Sequence, residues 1–88
     1  MLFEDKKYYL HFIMKTYKNL SGNSGVVAYE TGKTFIHIKF KGESGIYTFN
    51  YKRPGRETVE HMKALALKGK GLNTFITERV GTNFDSKR

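Results

Sequence analysis

The sequence predicts a single α+β domain: an antiparallel meander of three to four strands, packed by one amphipathic helix and a short second C-terminal helix. Three observations predict it. Apolar residues alternate with period two between residues 25 and 51, and glycine-bearing breaks there are too short for parallel crossovers. After Pro54-Gly55 the period changes to that of a helix. Finally, a chain of 88 residues buries only roughly 64% of its unfolded surface, enough for one small core.

Taken in order, residues 1–24 read as an N-terminal extension that adds a strand over Tyr8–Tyr17, where Tyr8, Leu10, Phe12 and Met14 alternate. Helical spacing of Tyr9, Ile13, Tyr17 and Leu20 competes with that reading. Met14 also offers a second start, which would make the first thirteen residues an addition. Gly25–Thr31 is β-branched-rich and ends in the turn Gly32-Lys33. Thr34–Phe40 then places Ile36, Ile38 and Phe40 on one face and Phe35, His37 and Lys39 on the other. Ile46–Tyr51 follows a polar loop and sets Tyr47, Phe49 and Tyr51 toward the core, which leaves Tyr29 and Phe35 for the open face.

Glu57–Lys68 reads as a helix with Val59, Met62, Leu65 and Ala66 on one stripe, Leu67 outside it, and a Glu60–Lys63 pair on its flank. Gly69 ends it. A short helix is expected over Thr74–Val80 with Asn73 as its N-cap, and 82–88 reads as a loose tail. The organisation is therefore an extension (1–24), a domain (25–81) and a tail (82–88).

The segment Gly25 to Val80 resembles the KTSC domain, a small family named for its occurrence at the C-terminus of some lysyl-tRNA synthetases. The matching residues are Val26-Val27-Ala28-Tyr29, the hairpin IHIKF…YTFNY and the closing run Gly69-Lys70-Gly71-Leu72-Asn73-Thr74-Phe75-Ile76. Stand-alone members of this kind are frequent in bacterial and phage genomes. Lys68 stands where the family often has Ser, and the segment before Gly25 has no counterpart there. The resemblance implies nucleic-acid binding and brings no catalytic residues with it.

Composition narrows the chemistry. With no Cys, neither a disulfide framework nor a thiolate metal site exists. His11, His37 and His61 lie on separate elements without metal-ligand spacing, so no metal, cofactor or catalytic residue is expected, and the chain reads as a non-enzyme. Gly32-Lys33-Thr34 lacks the glycines of a phosphate loop. No apolar run approaches the ~20 residues of a membrane span, and a cytoplasmic location is the expectation.

Charge is where the function is sought. The formal net charge is +8, and residues 52–71 carry +4 of it. Lys68 and Lys70 lie at a helix C-terminus, where cations offset the macrodipole. Lys52, Arg53 and Arg56 lie at the opposite end, where cations oppose the dipole and free N–H groups attract anions. Stability does not explain them, so they form the expected phosphate or anion site. A solvated loop neutralised by Glu57 is the plainer alternative. Lys33, Lys39 and Lys41 add diffuse attraction, with Phe35 and Tyr29 as stacking surfaces. The expectation is a non-catalytic basic module for RNA or single-stranded nucleic acid. The alternatives are an oligomer that captures a small anionic nucleotide, such as a phage-encoded sequestering protein, or a protein-interaction module using a sheet edge.

Overall fold

A computed structural model describes residues 14–88, and the protein is α+β as the patterning requires. Among the described residues the sheet has five strands rather than three or four: β1 (Lys15–Thr16), β2 (Val26–Thr31), β3 (Phe35–Phe40), β4 (Ile46–Asn50) and β5 (Ser86–Lys87). They lie side by side in sequence order, and every neighbouring pair is antiparallel. Between β4 and β5 the chain forms α1 (Arg56–Lys68), the single turn α2 (Leu72–Phe75) and a π-helical turn over Ile76–Val80. Both edge strands of the described sheet come from outside 25–81, and the 82–88 segment, expected as a loose tail, contributes the paired strand Ser86–Lys87. The part of the strand expected over Tyr8–Tyr17 that precedes residue 14 lies outside the described residues.

One face of the sheet carries the core. Ile36 opposes Phe49 and Ile38 opposes Tyr47 across β3 and β4, while Tyr29 opposes Ile38 across β2 and β3. Val59, Met62 and Ala66 of α1 close over them, and Leu72, Ile76 and Val80 complete the cluster. Each Val, Leu, Ile, Phe or Met side chain among them, fully buried, contributes about 1.5–3 kcal/mol. Leu67 is 63% exposed, as its position outside the helical stripe requires.

Tyr29 corrects the expected open-face pair: it is buried in the core, not exposed beside Phe35. The physical cause is a bulge between Val26 and Ala28, where the register slips by one residue. Val26 and Tyr29 both turn inward although they are three apart, and Val27 is left outside. A strict two-residue alternation cannot anticipate that slip.

Gly69 ends α1 in the left-handed conformation (φ 80°), and its N–H donates to the Leu65 carbonyl at 2.9 Å. A Cβ there would also lie 2.5 Å from Lys18 Cβ, so close approach as well as backbone angle requires glycine. The Leu20 N–H donates to the Gly69 carbonyl, the Tyr17 hydroxyl accepts from the Leu72 N–H, and the Asn73 amide lies against Gly25. The Gly69–Ile76 run is thus a buckle between the helices and the chain before β2. The second helix begins at Leu72 after Gly71, not after an Asn73 cap, because Asn73 is turned to Gly25.

Candidate nucleic-acid interface

The site begins with Asn50, the last residue of β4. Its Oδ1 accepts from the Lys52 N–H (3.0 Å) and the Arg53 N–H (2.9 Å). Its own N–H donates to the Arg53 carbonyl at 2.8 Å, and its carbonyl accepts from the Gly55 N–H at 3.0 Å. An Asn side chain bonding its backbone two residues on is a standard turn device. The chain is thereby folded over Asn50 and released into α1 through Gly55, whose φ of 120° suits glycine. No side chain caps α1, and Glu57 alone supplies negative charge in its first turn.

Lys52, Arg53 and Arg56 are all exposed on this turn. Arg53 Nε donates to Asn83 Oδ1 at 3.0 Å, which holds the guanidinium through one of its donors while the residue stays exposed. The Arg56 guanidinium lies 5.8 Å from the centroid of the Tyr51 ring, within cation–π range. The Tyr51 hydroxyl donates to Glu60 Oε2 (2.7 Å), and Lys63 Nζ donates both to that oxygen (2.9 Å) and to the Lys33 carbonyl (3.0 Å). The Tyr51 hydrogen bond, then Lys63, holds the Glu60 carboxyl below the usual carboxylate range, and Glu60 in turn raises the Tyr51 phenol.

Register divides the expected basic set in two. Phe35 pairs with Asn50 and Lys39 with Ile46, so Lys33, Lys52, Arg53 and Arg56 lie at one end of the sheet and Lys39 and Lys41 at the other. At the first end those four cations have no carboxylate within ion-pair distance among the described residues. At the second, Lys39 Nζ donates to the Glu43 carbonyl and Lys87 pairs with the Glu43 carboxylate at 3.6 Å. Tyr47 donates to that carboxylate at 2.6 Å and holds it below its usual range, with Lys87 contributing. Phe35 is on the open face, stacked on His37 at 4.5 Å and folded over Gly32; with Tyr29 in the core, it is the one expected stacking residue found there.

The open face also holds groups that the sequence reading did not join. His37 Nδ1 lies 3.0 Å from Glu30 Oε1, and His37 Nε2 lies 3.3 Å from Arg88 Nη2. A neutral imidazole that donates from Nδ1 and accepts at Nε2 satisfies both contacts. Beside this row is a concavity of about 780 Å³ whose lining includes Val27, Ala28, Ile46 and Lys39. The opposition of Glu30 to His37 follows from the strand pattern, but Arg88 and Asn83 come from the 82–88 segment and nothing local marks them. Among the described residues, no group of three or more His, Asp or Glu is placed to hold a metal ion, and no helix is long and apolar enough to cross a membrane.

Comparison with protein-family models, with curated proteins and with solved structures returned no match.

Proposed function

We propose that the protein is a non-catalytic binding module for RNA or single-stranded nucleic acid, with the start of α1 as its phosphate-binding surface. The observation that carries this reading is the cluster of Lys33, Lys52, Arg53 and Arg56 at one end of the sheet, exposed and without carboxylate partners among the described residues. Like charges brought together against the helix dipole are unfavourable in the free protein, and an anion relieves that cost. The Arg53 terminal nitrogens suit bidentate phosphate contact, and Asn83 already fixes the plane from which they act. α1 itself is not a groove-reading helix, because its inner stripe is core and its flank is tied by Glu60, Lys63 and Tyr51. Recognition then rests on backbone charge and on unpaired bases. The resemblance to the KTSC domain, carried by the sequence run alone, points the same way.

The test is fluorescence anisotropy of a labelled single-stranded oligonucleotide as salt is raised. If these four cations contact phosphates, log K falls against log salt with a slope of about −3, which is about fiftyfold between 50 and 200 mM. Absence of binding at 20 mM salt would sink the reading.

A further inference from the structure

We propose that the C-terminal segment completes the phosphate-binding surface: Asn83 is a positioning residue that orients Arg53, and it is in place only while β5 is paired to β4. This rests on the phosphate-binding reading and names the residue that gives one of its contacts a geometry. Arg53 is held through both its main chain and its side chain. Its N–H donates to Asn50 Oδ1 (2.9 Å), its carbonyl accepts from the Asn50 N–H (2.8 Å), and its Nε donates to Asn83 Oδ1 (3.0 Å). Among the described residues its terminal nitrogens have no hydrogen-bond partner, and such a fork suits two oxygens of one phosphate. Lys33 and Lys52 offer point charges on flexible stems instead. Arg56 lies 5.8 Å from the Tyr51 ring centroid, near the limit of cation–π range, and among the described residues no acceptor fixes the plane of its guanidinium. A side chain already held loses less freedom on binding than one that must be immobilised. Arg53 is therefore the contact at which arginine, rather than any cation, matters.

Asn83 is held in turn by the segment it belongs to. Its N–H donates to the Val80 carbonyl at 3.1 Å, where the π-helical turn ends. Phe84, the next residue, packs edge-on to Tyr47 (4.8 Å) and Phe49 (6.0 Å). The Asp85 N–H donates to the Thr48 carbonyl (2.8 Å), and Arg88 exchanges both main-chain hydrogen bonds with Ile46 (2.8 and 3.0 Å). Between them Ser86 pairs with Thr48 and Lys87 with Tyr47. β4 thus supports both holds on Arg53: Asn50 at its end fixes the main chain, and the strand docked along it delivers Asn83. The two residues are 30 apart in the chain, so nothing local keeps them together once β5 leaves β4. β5 is a two-residue strand at the edge of the described sheet, the kind of element that opens at least cost. Phosphate binding at Arg53 and docking of β5 are therefore linked, each favouring the other by the same factor.

The experiment is a double-mutant cycle on the full chain, read by anisotropy of a labelled single-stranded oligonucleotide across a salt series. Asn83→Ala should weaken binding about fivefold, within the range by which neighbouring residues couple. It should leave the salt slope unchanged, because no charge is lost. Arg53→Lys should cost about fivefold in the parent protein and less than about twofold beside Asn83→Ala. Asn83→Asp keeps an acceptor for Nε but adds a carboxylate, so it should reduce the magnitude of the slope by about 0.7. In hydrogen exchange through local opening, saturating oligonucleotide should slow the Asp85 and Arg88 amides about fivefold in the parent and leave them unchanged in Asn83→Ala. If Asn83→Ala merely loosens the fold, Arg53→Lys costs the same in both backgrounds; that result overturns the inference and leaves the phosphate reading standing. Asp85 and Arg88 amides that exchange no more slowly with oligonucleotide bound overturn it as well. A parent protein that does not bind at about 20 mM salt, where phosphate contacts are strongest, takes down both.

Discussion

The two ends of the sheet carry similar numbers of basic residues and use them differently. At the end where β4 passes into α1, Lys33, Lys52, Arg53 and Arg56 are exposed on turns and the helix start, and among the described residues only Arg53 of these has a side-chain hydrogen bond, to a neutral amide. At the other end the cations are built in. Glu43 gathers Lys39, Lys87 and Tyr47, while Arg88 is held by the sheet and by His37. A cation with a carboxylate partner loses much of its attraction for a distant phosphate, because the opposite charges cancel at distances large compared with their separation. A cation fixed by a neutral partner keeps its charge and gains a direction. The first end therefore keeps its full charge for salt-sensitive capture, with Arg53 given a direction by Asn83, whereas at the second end Lys87 is offset by Glu43.

The largest effect that would break this contrast comes from neutralising one end at a time. Lys52→Gln, Arg53→Gln and Arg56→Gln together should reduce the magnitude of the salt slope by about 2 and weaken single-strand binding about a hundredfold at 100 mM salt. Lys41→Gln and Lys87→Gln together should change the slope by less than about 1. Equal losses from the two combinations, measured by anisotropy, would mean that net charge and not placement governs binding.

A smaller and opposite effect tests the pairing itself. Glu43→Gln removes the carboxylate that holds Lys87, and it should strengthen oligonucleotide binding about fivefold at 100 mM salt, the equivalent of about one phosphate contact. An unchanged affinity would show that the pair did not restrain those cations.

The smallest expected effect is on stability and sharpens the α1 end alone. Glu60 is held below its unfolded value, so its contribution is complete above the usual carboxylate range and is lost as pH falls through the lowered value. Tyr51 is raised by the same contact, so its contribution is complete below the usual phenol range and is lost as pH rises through the raised value. Glu60→Gln should flatten both limbs of a plot of Tm against pH, with the difference from the parent protein shrinking in acid. A difference that stays constant from pH 3 to 8 would leave the Tyr51–Glu60 contact without energetic consequence.

Much of this arrangement is legible along the chain. The inward set Ile36, Ile38 and Phe49 follows from alternation, the α1 stripe from helical spacing, and the Glu60–Lys63 pair from its three-residue interval. The basic turn was legible too, because Pro54-Gly55 marks a helix start and cations there oppose its dipole. These are local regularities, set by backbone periods and by groups within one turn of each other. Asn50, which organises that turn, was within reach of the same reasoning: an Asn ahead of a Pro-Gly pair is a turn-former.

Other features were decided only when the chain closed on itself. Tyr29 entered the core through a bulge, and a bulge depends on how two strands accommodate each other's twist rather than on either strand's composition. Ser86–Lys87 has no strand signature; it pairs because β4 leaves an unsatisfied edge and the π-helical turn delivers the chain to it. That pairing brings Arg88 to His37 and Asn83 to Arg53, contacts between residues 51 and 30 apart in the chain. The sequence by itself determined the α+β class, the core stripe and the basic turn, since each is written in neighbouring residues. Which cations share an end, which are neutralised and what lies on the open face were set by strand register and edge closure, because hydrogen bonding and charge act through space.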